Sequence, residues 1–210
     1  MTAAKKWDFS RCVSSSHPFP HRRYTEILSP GTIAAISDWV AVATNWITRN
    51  HFGDPMDSIQ LRSMATGRRD SDCRFPLDDL SFAWLKQEIE VAFNTELCES
   101  FSLSVNRQSR NQLIAIHNDF VPEEKRGDDY FTHRVVIYLT SEWGPRSGGR
   151  LGLFASNHPS SLSVAYLPEY NSAFAFAVTP QSWHGVESIG ETARYTMVVS
   201  YRLDSSKLSQ

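Results

Sequence analysis

The chain has few cysteines, and their placement excludes the usual uses of clustered thiols. Its 210 residues contain only Cys12, Cys73 and Cys98, which lie far apart and form no Cys-x-x-Cys pair. An odd number of scattered thiols argues against a disulfide framework and against a structural zinc site of the cysteine type. The sequence therefore predicts reduced thiols and a reducing compartment.

Neither sign of charge dominates the sequence, and it has no long apolar run. The chain has 21 basic and 23 acidic residues, for a formal net charge of −2. A balanced composition offers no basic field, so we expect no nucleic-acid partner. No apolar run reaches the roughly 18 residues of a membrane span, and the first residues contain no apolar signal segment. These absences predict a cytoplasmic protein without a membrane partner.

The first hundred residues predict a polar lead-in followed by two helices. A Ser-Pro pair and the apolar spacing after it predict a helix over residues 30–49. Residues 51–76 are rich in Asp, Pro, Gly and Arg, and they predict an irregular connection. The second helix is expected to begin at Asp78 or Asp79. Its predicted inner face consists of Leu80, Trp84, Ile89 and Phe93.

From Phe101 onward the sequence predicts a β-domain. Seven short runs rich in Val, Ile, Tyr and Phe are separated by polar residues, glycine or proline. They are FSLSV, QLIAIH, HRVVIYLT, GRLGLFA, SVAYL, SAFAFAV and YTMVVSYRL. Runs of this length and spacing are typical of an antiparallel sandwich or barrel. We therefore predict one domain over residues 1–210, with the lead-in and helices in residues 1–100 and the β-core in residues 101–203.

Two candidate metal ligands lie at the end of a predicted strand. His117 and Asp119 follow an apolar run, and alternate side chains of a strand point to the same face. Two ligands hold a divalent metal weakly, so a third is needed from elsewhere in the chain. His184 is the best candidate, because it lies between two apolar runs of the predicted barrel. His133 is a second-rank candidate at the start of another predicted strand.

This ligand set predicts a particular metal chemistry. Two histidines and one carboxylate leave three positions of an octahedral metal open, as in non-haem Fe(II) oxygenases. Arg194 follows His184 by ten residues and shares a strand face with Thr196. A guanidinium inside a barrel needs an anion, and its planar fork suits a carboxylate. The pattern predicts a dicarboxylic co-substrate that binds iron at one end and Arg194 at the other.

Three segments together resemble the 2-oxoglutarate/Fe(II)-dependent dioxygenases, specifically their prolyl-4-hydroxylase-like branch. They are HND, HRVVIYLTSEWGPRSGGRLGLF and SWHGVESIGETARYTMVVSYR, and FPHRRYTEILSP resembles the usual lead-in of the family. The resemblance covers roughly residues 101–203. It implies a mainly β fold, a double-stranded β-helix or jelly-roll barrel buttressed by two or more helices. It also implies Fe(II) as the metal, with 2-oxoglutarate and O2 as co-substrates.

The resemblance assigns roles to individual residues. The matching positions are the iron ligands His117, Asp119 and His184, and the 2-oxoglutarate residues Arg194, Thr196, Tyr138 and Leu151. Arg194 matches the residue that pairs with the distal carboxylate of the co-substrate. Tyr138 reads equally well as a core aromatic residue. Because Asp119 keeps the carboxylate that related halogenases lack, hydroxylation is favoured over halogenation.

The substrate contacts are predicted from position and charge near the metal pair. We expect a small free substrate, such as an amino acid or a natural-product intermediate, because no peptide-docking appendage is recognisable. The alternative is a prolyl-hydroxylase-like enzyme acting on a peptide or protein, which an open groove beside the iron would favour. Residues 121–131 read either as a lid or as a solvated charged loop. The candidate substrate residues are Asn118, Arg107, Arg110, Arg134, Asp128 and Trp183.

Two departures from the family pattern bear on the substrate, and two other classes compete with an oxygenase. The segment before the first metal ligand reads NRQSRNQ, where an aromatic residue and a glycine are usual. Arg150 stands where an acidic residue is common. The competing classes are a cupin-like metal enzyme that does not use 2-oxoglutarate and a non-catalytic jelly-roll binding module.

Overall fold

A computed structural model describes residues 6–51, 54–66, 74–144 and 146–204, so Cys73 lies outside the described residues. The helices are α1 (Pro30–Val42) and α2 (Asp79–Phe93). The strands are β1 (Cys12–Ser15), β2 (His21–Tyr24), β3 (Ile47–His51), β4 (Asp54–Arg62), β5 (Leu97–Gln108), β6 (Ile114–His117), β7 (His133–Tyr138), β8 (Leu151–Phe154), β9 (Leu162–Tyr166), β10 (Ala173–Ala177), β11 (Trp183–Val186) and β12 (Arg194–Leu203).

Two antiparallel sheets make up the β-domain. The major sheet has eight strands in the order β1-β2-β10-β7-β12-β5-β4-β3, and the minor sheet has four in the order β6-β11-β8-β9. Strands distant in sequence are neighbours in both sheets, as they are when a chain winds into a jelly roll. The predicted fold, a mainly β jelly roll with two N-terminal helices, is confirmed.

The strand predictions hold beyond Phe101 and fail before it. Each of the seven predicted runs contains an observed strand, whereas β11 was not predicted. The irregular connection expected over residues 51–76 is wrong for residues 54–62, which form β4. Its sequence, DPMDSIQLR, is too polar to indicate a strand, but pairing with both β3 and β5 satisfies its backbone. The N-terminal part of the chain therefore supplies four strands of the major sheet as well as the helices.

Both helices differ in detail from their predictions. Helix α1 ends at Val42 instead of Arg49, because Ala43 is extended and residues 47–51 pair with β4. Helix α2 begins after Asp78, whose side chain accepts a hydrogen bond from the Ser81 amide. Its predicted inner face is rotated from the observed one. The fully buried apolar residues of α2 are Phe82, Leu85 and Ile89, while Leu80 and Trp84 are exposed.

The major sheet separates two hydrophobic cores. One core lies between the sheet and the helices and contains Phe82, Leu85 and Ile89 together with Val105 and Val199 of the central strands. Burial of each such side chain contributes about 1.5–3 kcal/mol. The second core lies between the two sheets. The helices thus cover one face of the major sheet and leave the other face for the minor sheet and the site.

Neither described helix is long and apolar enough to cross a membrane.

Candidate metal centre

Pairing of β6 with β11 brings two predicted metal ligands side by side. His117 is directly opposite His184 in the register of these strands, and the centroids of their rings are 4.2 Å apart. The strands approach closely because Gly185 has no side chain. A Cβ at that position would lie 2.9 Å from the carbonyl oxygen of Ile114. A single strand pairing thus brings together two histidines that are 67 positions apart in the sequence.

Backbone carbonyls orient both imidazoles. Nδ1 of His117 lies 2.9 Å from the carbonyl oxygen of Ala115, and Nδ1 of His184 lies 2.9 Å from that of Ser182. A carbonyl only accepts, so each Nδ1 carries the proton and donates it. The Nε2 lone pairs are left for a metal, which is the arrangement in which outer hydrogen bonds fix the ligand tautomer.

The carboxylate of Asp119 faces both imidazoles just beyond the end of β6. Its Oδ1 lies 3.7 Å from Nε2 of His117, and its Oδ2 lies 3.5 Å from Nε2 of His184. The three ligand atoms are within 4.8 Å of one another. Burial, reinforced by the neighbouring His184, lowers the pKa of His117 to about 4. At neutral pH this imidazole is therefore uncharged and able to bind a metal.

The donor set fits the predicted metal. Two neutral imidazole nitrogens and one carboxylate oxygen converge from one side, and no thiol accompanies them among the described residues. This is the two-histidine, one-carboxylate set of non-haem Fe(II) sites, which leaves positions open for co-substrate and O2. The structure thus brings the three predicted ligands together in a form that fits Fe(II).

Arg134 is also part of this centre. Its Nη1 donates to Oδ2 of Asp119 at 2.8 Å, and its Nε lies 3.5 Å from the Ser200 hydroxyl. Its guanidinium carbon lies 4.0 Å from the centroid of the Phe131 ring. These contacts restrict rotation of the Asp119 carboxylate. Among the six residues predicted to contact substrate, Arg134 is the one that lines the cavity over the metal ligands.

We expect Arg134→Met to lower uncoupled 2-oxoglutarate turnover, measured as succinate release without any other substrate, by about tenfold or more. The variant frees Oδ2 of Asp119, so the carboxylate loses the orientation that the guanidinium imposes. Arg150→Met is the matched control, because Arg150 forms an exposed ion pair with Glu187 instead. Equal turnover in the two variants would contradict the role of Arg134.

The predicted anion site lies in the same cavity. Arg194 at the start of β12 and Thr196 on the same face are both buried, and both line the cavity together with Leu151. The guanidinium carbon of Arg194 lies 5.2 Å from the centroid of the Tyr138 ring. Burial raises the pKa of Tyr138 despite the opposing charge of Arg194, so its hydroxyl remains protonated and can donate.

Donors in this site lack protein acceptors. Within the described part of the chain, Nε of Arg194 and Nε2 of Gln108 are buried without a hydrogen-bond partner. Unpaired buried donors are costly, and a carboxylate satisfies them. The predicted 2-oxoglutarate residues therefore fit a dicarboxylate in the cavity that the two candidate metal-binding histidines also line. Their roles stay predictions.

Five of the predicted substrate residues are not among those that line the cavity, and their roles stay predictions. Ser104 and Asn106 of β5 face the cavity, so alternation turns Arg107 to the other face, where it pairs with Asp57 at 2.7 Å. The amide of Asn118 is used to join the two metal-bearing segments, because it donates to the carbonyl of Pro180 and accepts from the Phe120 amide.

Exposure or strand direction explains why the other three residues, Arg110, Asp128 and Trp183, do not line the cavity. Arg110 is in an exposed turn after β5, and Asp128 is exposed. Asp129, one residue later, lines the cavity in its place. Trp183 precedes His184 on β11 and so points to the opposite face. Residues 121–131 do border the cavity through Asp129 and Phe131, and their action as a lid stays a prediction.

His133 was the second-rank ligand candidate, and the structure places it away from the metal centre. Its ring packs 5.3 Å from that of Phe93 on the helix-facing side of β7, and its Nδ1 contacts the Thr132 hydroxyl. Burial lowers its pKa to about 4. It is a satisfied core histidine.

Sequence reasoning missed Gln108 and the polar floor of the cavity. Gln108 lay within the segment noted as a departure from the family pattern, which was a usable signal. The floor residues had a weaker signal, namely polar residues at alternate positions of strands whose other face is apolar. They are Ser58, Gln60, Ser102, Ser104, Asn106 and Ser200.

Comparison with known proteins gives one family match and one curated relative. Residues 103–202 match the model of the 2OG-Fe(II) oxygenase superfamily. A stretch of 122 residues, 57% of this chain, is 25% identical to "Prolyl 3-hydroxylase OGFOD1" from Xenopus laevis. That stretch covers 22% of the relative, so the match spans about a fifth of its length.

Solved structures share the fold at low sequence identity. A Pseudomonas putida prolyl-4-hydroxylase superposes with a TM-score of 0.67 at 15% identity, covering 88% of this chain and 93% of that one. A Trichoplax adhaerens prolyl hydroxylase, in complex with a peptide fragment of the hypoxia inducible factor oxygen degradation domain, gives a TM-score of 0.60 at 14% identity. The superposition covers 90% of this chain and 87% of that one.

Proposed function

We propose that this chain is a 2-oxoglutarate-dependent dioxygenase of the 2OG-Fe(II) oxygenase superfamily, whose model residues 103–202 match, and that it hydroxylates a C–H bond in an extended peptide segment. When bound, Fe(II), 2-oxoglutarate and O2 supply the oxidising chemistry, with succinate and CO2 as co-products. The chain itself holds the metal through the triad, binds the co-substrate near Arg194 and orients the substrate. The observation that carries the peptide assignment is the shape of the cavity.

The cavity lies between the two sheets and extends as a groove across five strands of the major sheet. Its volume is about 650 Å³, and its lining includes residues of the adjacent strands β7, β12, β5, β4 and β3 as well as residues of the metal-bearing minor sheet. Neighbouring strands are about 4.8 Å apart, so five strands span about 19 Å. An extended peptide of about six residues has that length. A free amino acid would fill only a fraction of such a groove.

The floor of the groove suits a peptide backbone. It is built from hydroxyl and amide side chains that sit opposite one another across the strands, as Asn106 does with Ser58. Such groups both donate and accept hydrogen bonds, which matches the alternating N–H and C=O groups of an extended chain. Charged lining residues lie toward the ends and rim, with Arg134 at the metal and Arg49 on β3.

Proline is the first residue to test as the site of hydroxylation. The curated relative and the solved structures cited above are named as prolyl hydroxylases, and one of them is in complex with a peptide. These names describe the relatives, and they supply the starting substrates for an assay of this chain. A panel of proline-containing peptides is therefore the first arm of the experiment.

A small free substrate is the second candidate, and Arg134 favours it. Its side chain is 15% exposed at the metal end of the groove, where the guanidinium can pair with a substrate carboxylate. Free amino acids therefore form the second arm of the same screen. Substrate-dependent succinate release with a free amino acid, and none with peptides, would make this candidate the function and would overturn the peptide proposal.

A groove-blocking substitution separates the two candidates. We expect Ser104→Trp to lower kcat/KM for a peptide at least tenfold, because Ser104 lies on the third of the five strands and an indole there obstructs the groove. Uncoupled succinate release should fall much less than peptide turnover, since Ser104 pairs with Val198 and not with Arg194 or Thr196, and the metal ligands are on the other sheet. Ser163→Trp on the exposed face of β9 is the control. Unchanged peptide turnover in Ser104→Trp would exclude this groove as the binding path.

A further inference from the structure

Gln108 is a buried amide that lies directly behind the proposed 2-oxoglutarate site. It ends β5 and is opposite Arg194 in the register with β12. The two residues are only 1% and 4% exposed. Nη1 of Arg194 donates to Oε1 of Gln108 at 2.6 Å, which is a short, charge-assisted contact. This pair joins β5 to β12 beside the cavity that Arg194 lines.

The charge of Arg194 has no carboxylate partner in the part of the chain that the structure describes. Among the described residues no acidic side chain forms an ion pair with it, and its closest polar neighbours are the neutral Gln108 and Tyr138. Burial without such a partner lowers the pKa of Arg194, although an arginine stays protonated in proteins. A buried cation whose neighbours are neutral is stabilised when an anion binds to it.

The contact with Gln108 also decides which edge of the guanidinium remains available. Nη1 is engaged, whereas Nε is buried without a partner among the described residues. A carboxylate binds a guanidinium through two parallel hydrogen bonds, and the edge formed by Nε and Nη2 is one of the two that permit this. Nε2 of Gln108 is a further buried donor without a protein acceptor in the described structure.

We propose that Gln108 is a positioning residue that fixes Arg194 for the distal carboxylate of 2-oxoglutarate while leaving its charge unneutralised. This inference rests on the proposed function of the site. An amide side chain can both fix the guanidinium and leave its charge unneutralised, because its oxygen accepts from Nη1 but carries no formal charge. A glutamate in the same place would hold the guanidinium more strongly and would cancel the field that attracts the co-substrate. A methionine would leave the field intact but would release Nη1.

Two near-isosteric variants test this distinction, with binding read out instead of turnover. We expect Gln108→Glu to weaken binding of 2-oxoglutarate about a hundredfold, and Gln108→Met to weaken it about tenfold. Binding is measured calorimetrically on the full chain loaded with Mn(II), without O2. The thermal midpoint of unliganded Gln108→Glu should equal or exceed that of wild type, because the new carboxylate pairs with Arg194. If Gln108 had only a structural role, a variant that keeps the thermal midpoint of wild type would also keep its affinity for 2-oxoglutarate.

A second probe ties the effect to the distal carboxylate. 2-Oxopentanoate has the same chain with a methyl group in place of that carboxylate, so its binding should change little in Gln108→Glu. The preference of wild type for 2-oxoglutarate should therefore nearly vanish in the variant. Preserved preference, with affinity for 2-oxoglutarate within threefold of wild type, would overturn the role of Gln108. If wild type itself bound no 2-oxoglutarate, the proposed function of the site would fail and this inference with it.

Discussion

Replacement of Asp119 by alanine is expected to reduce 2-oxoglutarate-dependent succinate release to background. The carboxylate supplies one of the three ligand atoms that lie within 4.8 Å of one another, and removal leaves only the two imidazoles. It also leaves Arg134 as a partly buried cation without the carboxylate that it now contacts at 2.8 Å. Both effects act against the metal, since a nearby uncompensated positive charge repels a divalent cation.

The matched control is Asp57→Ala. Asp57 pairs with Arg107 at 2.7 Å, much as Asp119 pairs with Arg134, but on the other face of the sheet. Its loss should leave succinate release close to wild type. Metal affinity, measured by titration of the metal-free proteins with Fe(II) in the absence of O2, should fall in Asp119→Ala alone. A normal succinate yield from Asp119→Ala would contradict the assignment of this triad as the metal ligands.

Replacement of Arg194 by methionine is expected to raise the KM for 2-oxoglutarate by roughly a hundredfold. The guanidinium is a buried cation that lines the cavity, and its unpaired Nε donor faces no acceptor among the described residues. Loss of a charge-assisted bidentate contact accounts for a change of this size. Affinity for Fe(II) should be unaffected, because Arg194 contacts none of the three ligands.

Arg194→Lys distinguishes charge from geometry. Lysine keeps the positive charge but lacks the planar fork, so we expect its KM to lie between those of wild type and Arg194→Met. The thermal midpoints of all three proteins should be recorded, since Gln108 loses its partner in the methionine variant. An unaltered dependence on 2-oxoglutarate in both variants would place co-substrate recognition elsewhere in the chain.

The sequence alone was informative where chemistry and local pattern coincide. The sequence singled out His117, Asp119 and His184, whose ligand atoms the structure brings together, and Arg194, which lines the same cavity as the two histidines; their roles stay predictions. The seven apolar runs predicted the strands of the β-domain, because alternation and β-branched residues are properties of short segments. The N-cap of α2 was predicted for the same reason, since a side chain and the next turn are enough to form it.

Features that depend on strand pairing were not predictable from those local signals. β11 is four residues long with a glycine inside it, and it exists as a strand because β6 and β8 pair with it on both sides. β4 is likewise polar and is held by its neighbours β3 and β5. Tertiary context overrides intrinsic preference in such segments, because the free energy of pairing belongs to both partners.

What the sequence determined about this protein is therefore its donor chemistry: which imidazoles, carboxylates and guanidinium are available, and on which kind of element. The tertiary structure alone decided what surrounds them. Register between β5 and β12 put Gln108 behind Arg194, and register between β7 and β12 put Arg134 beside Ser200 at the metal. Pairing of five strands also produced the groove on which the peptide proposal depends. The physical reason is that register is set by non-local hydrogen bonds and core packing, and a shift of one residue would turn each of these side chains to the opposite face.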